Sequence, residues 1–209
     1  MRRQKYLLHS IILVFFWIAT LSPVVIVAAQ QSYVDPNDQV IAEWTQTIAE
    51  NPNDAIAYYK RAKAYLVKVQ YDKAVIDFNQ AIEINPKYAV AYLDRGFLYQ
   101  KTGQNDKALD DYSQAIENDP YYALAYTNRA FMYNKNGQYD LAIKDCDKAL
   151  EINPKATKAY FNKGTAYEKK HLYQEAVNTY RSLLVNVSPQ ETQSIENAKY
   201  RIRVLGETP

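Results

Sequence analysis

The sequence predicts an all-α solenoid, a stack of helix–turn–helix units each packed on the next, and three observations carry that expectation. Residues 51–84, 85–118 and 119–152 align without a gap at a period of 34, and residues 153–186 follow as a fourth copy. Self-similarity at a fixed period of this length marks a repeat array, whose units cannot bury their apolar faces alone. Within each copy, apolar and small residues recur at spacings of four and three, the period of one helical face. The 209 residues hold only 5 glycines against 20 tyrosines, a composition suited to long helices packed through aromatic wedges.

In chain order, the first element is a targeting segment. MRRQKYLLHSIILVFFWIATLSPVVIVAAQQ places a basic head before an apolar run, a breaker at Pro23 and small residues at Ala28 and Ala29, the order of a secretory signal. Residues 1–29 are expected to be removed, with Val27 and Ala29 at the positions before the cut and Gln30 as the new terminus. The alternative is an uncleaved anchor, because residues 7–29 number 23 and about 20 apolar residues span a bilayer. In both readings the basic residues stay cytoplasmic and the body is delivered outward. The expected location is therefore the periplasm, the cell envelope or the medium, with a membrane tether at residues 7–29 as the alternative. No cysteine follows the apolar run, which excludes a bacterial lipoprotein anchor.

Residues 30–50 form a linker and half a repeat. DQVIAEWTQTIAENP matches the later second helices at the same offset, with Asp38 over Asp72, Trp44 over Phe78 and Ile48 over Ile82. Such an orphan second helix can cover the open end of repeat one.

The first helix of each repeat carries an aromatic, a small residue four on and a tyrosine three further: Tyr58, Ala62, Tyr65; Tyr92, Gly96, Tyr99; Tyr126, Ala130, Tyr133; Tyr160, Gly164, Tyr167. After a polar turn the second helix answers with Ala74, Phe78, Ala81; Ala108, Tyr112, Ala115; Ala142, Cys146, Ala149; and Ala176, Tyr180, Leu183. Asp72, Asp106 and Asp140 stand where an N-cap is expected. Gly103 and Gly137 can end the first helix in the left-handed conformation, and Val69 and His171 replace them in repeats one and four. Pro86, Pro120 and Pro154 stop the second helices. Repeat four, residues 153–187, has its proline one place late at Pro189 and is expected to be the loosest. Residues 188–209 supply a solvating cap helix and tail, with Ile195, Ala198, Ile202 and Leu205 on one face.

Repeat length, residue order and signature classes together resemble the tetratricopeptide-repeat family over residues 51–187. The resemblance implies a right-handed superhelical solenoid whose inner groove, lined by first-helix residues, holds a peptide or helix of a partner protein. Projected onto this sequence, the inner face includes Ile56, Val90, Gln100, Asn134 and Glu168, and the groove residues singled out on or beside it are Tyr59, Lys63, Leu93, Phe97, Lys101, Leu124, Thr127, Asn128, Phe131, Lys135, Lys158 and Phe161. Phe97, Phe131 and Phe161 carry most weight, because they lie one step off the wedge face, where a purely structural helix would be polar. An apolar patch rimmed by charge marks a binding surface. The dicarboxylate clamp of chaperone-binding members is incomplete: Asn128 and Lys158 match, but Leu93 and Phe97 stand where it needs lysine and asparagine, and Asn162 where it needs a base.

Charge and chemistry narrow the function further. Arg2, Arg3 and Lys5 supply three of the 25 bases, and without them 22 bases face 23 acids, so the body lacks the cationic surplus that nucleic acid requires. The two histidines are His9, in the signal, and His171, in a turn; the single cysteine, Cys146, stands at a core-facing position. No metal-ligand spacing, nucleophile elbow or phosphate loop appears, so no catalytic residue, metal or cofactor is expected. Asp77, Asp110, Asp111 and Asp145 recur on the polar side of second helices and read as a solvated face. The expected function is a non-enzymatic protein-interaction scaffold; the alternative is a self-assembling or assembly-factor module of a cell-envelope complex, working through its convex face or open ends.

Overall fold

The computed structural model describes residues 35–206, and the predicted targeting segment, residues 1–29, lies outside the described residues. Among the described residues there are ten helices and no strand: α1 (Pro36–Glu50), α2 (Ala55–Val67), α3 (Tyr71–Ile84), α4 (Ala89–Lys101), α5 (Asn105–Asn118), α6 (Ala123–Lys135), α7 (Tyr139–Ile152), α8 (Thr157–Lys169), α9 (Tyr173–Asn186) and α10 (Thr192–Gly206). The chain divides after Gln39 into two compact units. In the described part of the first, Pro36 takes the first helical position, where a missing N–H costs nothing. Asp35 Oδ1 accepts the Asn37 backbone N–H at 2.9 Å and opens the helix.

In the second unit every helix from α2 to α10 packs on the next in sequence, and α6 also packs on α8. The core is the repeat signature made solid: Ala62, Ala74, Phe78, Ala108, Tyr112, Ala130, Cys146, Tyr180 and Leu183 are all buried. Small and large residues are matched within each pair. A Cβ at Gly96 would lie 3.0 Å from Tyr112 Cε1, and one at Gly164 would lie 2.4 Å from Tyr180 Cζ. Where the second helix carries Phe78 or Cys146 instead of a tyrosine, alanine (Ala62, Ala130) faces it.

The turns within repeats demand a left-handed residue. Gly103 and Gly137 adopt φ of 78° and 74°, and Val69 and His171 are held in the same region at 59° and 60°. The turns between repeats close across proline, with Asn85, Asp119 and Asn153 side chains accepting the backbone N–H two residues on at 3.1, 3.0 and 3.0 Å. The expectation that Asp72, Asp106 and Asp140 cap the second helices is corrected. Those helices begin two residues earlier than such caps would allow, after Gln70, Gln104 and Gln138, which make no side-chain cap. The aspartates therefore lie in the first turn, where they complement the helix dipole. Asp54 is a true side-chain cap, accepting from Ile56 and Ala57 N–H at 2.8 and 3.1 Å.

A second correction concerns the acids of the second helices. Asp110 is exposed, but Asp77, Asp111 and Asp145 are only 3, 4 and 5% exposed. Each accepts two hydrogen bonds from the arginine sixteen residues earlier: Arg61 Nε and Nη2 at 2.7 and 2.8 Å, Arg95 at 2.9 and 2.6 Å, Arg129 at 2.7 and 2.9 Å. The third nitrogen of each guanidinium reaches back sixteen residues, to Thr45, Asn79 and Ser113 respectively. Thr45 on α1 thus holds the register that Asn79 holds on α3 and Ser113 on α5. Unlike the later second helices, α1 has no fully buried residue. In repeat four the ladder changes chemistry: Lys163 pairs with Asp147 at 2.6 Å, and Thr179 turns its hydroxyl to Glu175 O.

Candidate partner-binding groove

The first helices α4, α6 and α8 bring Phe97, Phe131 and Phe161 to one cleft of about 330 Å3, which Gln100, Thr127, Asn128, Lys158 and Asn162 complete. Phe97 and Phe131 remain 36 and 39% exposed. Lys101 Nζ lies 5.5 Å from the Phe97 ring centroid and Lys135 Nζ 6.0 Å from that of Phe131, within reach of a cation–π attraction. Phe161 is anchored against Tyr180, with ring centroids 5.8 Å apart. A neighbouring concavity of about 380 Å3 shares Thr127 and Lys158 and adds Leu124, Glu191 and Ser194.

The floor is tied by amides. Asn162 Nδ2 donates to Thr127 O at 3.0 Å, and Asn134 Nδ2 donates to Asn162 O at 2.8 Å, so α6 and α8 are cross-linked beneath the cleft. Gln100 Oε1 accepts the Tyr112 hydroxyl at 2.7 Å, and Glu168, at the equivalent place in repeat four, accepts that of Tyr180 at 2.7 Å. In repeat three the second-helix residue is Cys146, which brings no hydroxyl, and Asn134 Oδ1 is buried without a donor among the described residues.

Several projected groove residues are engaged in packing or pairing instead of offering a free side chain to the cleft. Leu93 is 3% exposed and belongs to the core with Ala108, Tyr112 and Met132. Thr127 is also 3% exposed and donates to Ala123 O at 2.9 Å, so it shapes the wall of the cleft without offering a free hydroxyl. Tyr59 and Lys63 both donate to Asp94 Oδ2 at 2.8 Å, joining repeat one to repeat two. Burial first, and then Asp94, pushes the Tyr59 hydroxyl well above the ordinary tyrosine pKa, so it stays a donor. Gln100, projected onto the inner face, lines the cleft as expected of that position, and Asn162, outside the projected groove, lines it too.

Burial, followed by Asp145 and Asp147, likewise pushes the Cys146 thiol far up, which keeps it protonated and a poor nucleophile. Among the described residues no group of three His, Cys, Asp or Glu side chains is placed to hold a metal ion. No helix of the described residues is long and apolar enough to cross a membrane.

The sequence matches the profile described as tetratricopeptide repeat over residues 89–122 and 123–156, a second so described over 146–178, and a TPR repeat profile over 70–103. Among solved structures, the chain is similar to MamA protein, with 26% identity, 72% of this chain and 82% of that one covered, and a TM-score of 0.67. It is similar to the Arabidopsis OM64 TPR domain, with 31% identity, coverage of 55 and 93% and a TM-score of 0.50. It is also similar to the first TPR of Spaghetti (RPAP3) bound to the HSP90 peptide SRMEEVD, with 28% identity, coverage of 57 and 94% and a TM-score of 0.51. No curated protein matches the sequence.

Proposed function

The chain belongs to the tetratricopeptide-repeat family, and from that premise we propose that it is a non-enzymatic scaffold holding a segment of a partner protein in the cleft across α4, α6 and α8. The observation that carries this reading is the convergence of Phe97, Phe131 and Phe161 on one open concavity, with two of the three rings more than a third exposed. Covering apolar surface recovers about 25 cal/mol per Å2, so rings left open here supply a driving force for association. The peptide held by the Spaghetti (RPAP3) domain supports the same use of a related helix stack.

The ordered basic head and apolar run of residues 1–29 support export, so the partner is sought in the cell envelope. One experiment tests both parts: affinity capture from native envelope after crosslinking, comparing the natural chain with the Phe97→Asp/Phe131→Asp variant. The natural chain should carry Gln30 as its N-terminus and retain a defined partner. The variant should keep its helicity by circular dichroism and lose that partner. Capture undiminished by the substitutions rules out the cleft as the site.

A further inference from the structure

The cleft is more specific than an apolar groove. We propose that its occupant is an extended acidic segment, an apolar side chain flanked by aspartate or glutamate, selected by Lys101, Lys135 and Lys158. This deepens the scaffold reading and rests on it.

The first argument is charge complementarity. Lys101, Lys135 and Lys158 are exposed and have no ion-pair partner among the described residues, and no acid lines the cleft. The nearest carboxylates on the same helices are already committed. Asp94 takes Lys63 and the Tyr59 hydroxyl, while Glu168 takes Arg201 and the Tyr180 hydroxyl. Glu191 borders the adjoining concavity, where it accepts the Thr157 hydroxyl at 2.8 Å. The charged side chains left without an ion-pair partner around the phenyl rings are therefore lysines.

The second argument is position. Lys101 and Lys135 occupy the last turns of α4 and α6, where the helix dipole alone would account for a cation. Lys158 occupies the first turn of α8, where the dipole disfavours one, and the equivalent residues Ile56, Val90 and Leu124 are apolar. Lys158 shares its concavity with Glu191, but that carboxylate is turned to the Thr157 hydroxyl and forms no ion pair with it, so the cation set against the dipole stays open to an external anion. The ammonium groups of Lys101 and Lys135 also lie over the Phe97 and Phe131 rings. A carboxylate next to an apolar anchor in the cleft meets them directly.

The third argument is shape. The rings that line the cleft come from three successive first helices, α4, α6 and α8, a row that an extended chain follows with alternate side chains. An extended segment inserts only a few side chains and fits. A free chain terminus is not required, because Phe97 and Leu93 stand where a carboxylate grip would need polar groups.

The test is fluorescence anisotropy of the full chain with three nonapeptides, acetylated and amidated, each with a central phenylalanine flanked by glutamates, glutamines or lysines. The glutamate peptide should bind at least tenfold more tightly than the glutamine peptide at low salt, and that advantage should shrink as salt is raised. In the Lys101→Glu/Lys135→Glu/Lys158→Glu variant the order should invert, with the lysine peptide binding best. Equal binding of the glutamate and glutamine peptides overturns the acidic assignment and leaves the groove reading standing. Failure of all three to bind the natural chain overturns both.

Discussion

Val69 and His171 stand in conformations that their side chains resist. An L-residue in the left-handed region pays about 1–2 kcal/mol, more so when β-branched, and both hold φ near 60° because the turn admits nothing else. Val69→Gly is expected to stabilise the fold by about 1 kcal/mol, read as a raised denaturation midpoint. His171→Gly should gain less, because the imidazole is engaged with Tyr173, its Nδ1 2.9 Å from the hydroxyl. This much was legible in the aligned repeats, where the missing glycines were visible as substitutions. The difference between Leu93 and Phe97 was not. Both are apolar and one turn apart on α4, and only the packing of α5 and α6 against that helix decides that Leu93 is core and Phe97 is open.

At the scale of the helix pair, the matching of small to large governs each repeat. Cys146→Tyr should destabilise by about 1–3 kcal/mol, since Ala130 faces it with a methyl group where tyrosine-bearing pairs have glycine. Adding Ala130→Gly should recover most of that loss, a coupling measurable by a double-mutant cycle in urea; strict additivity would contradict the matching. Helix existence, the turn residues and this pairing could all be read from the 34-residue alignment. The buried acids could not. On their own helix Asp77, Asp111 and Asp145 lie on a polar stripe, and burial comes from the arginine of the first helix, itself held by the second helix of the preceding repeat. A pattern confined to one helix carries no trace of a contact made by three. Recurrence of arginine at the same period was the available clue.

Across the 40–206 unit, the fold and the apolar centre of the candidate site followed from the sequence, while its polar edges depended on pairings between repeats. Tyr59 and Lys63 look like groove residues until Asp94 of the next repeat is seen to claim both. Asn162 looks inert until the cleft closes around it. The arginine ladder has a further consequence, for the lengths that this chain can take. Each guanidinium needs an acceptor sixteen residues before it and a carboxylate sixteen after. Excising residues 85–118 would bring Asn79 to the place Ser113 holds before Arg129 and leave Asp145 where it is. That shortened chain should fold cooperatively in chemical denaturation, whereas a 17-residue excision from the same segment should not. The gene can thus gain or lose length here only in whole repeats, because a polar contact counts them.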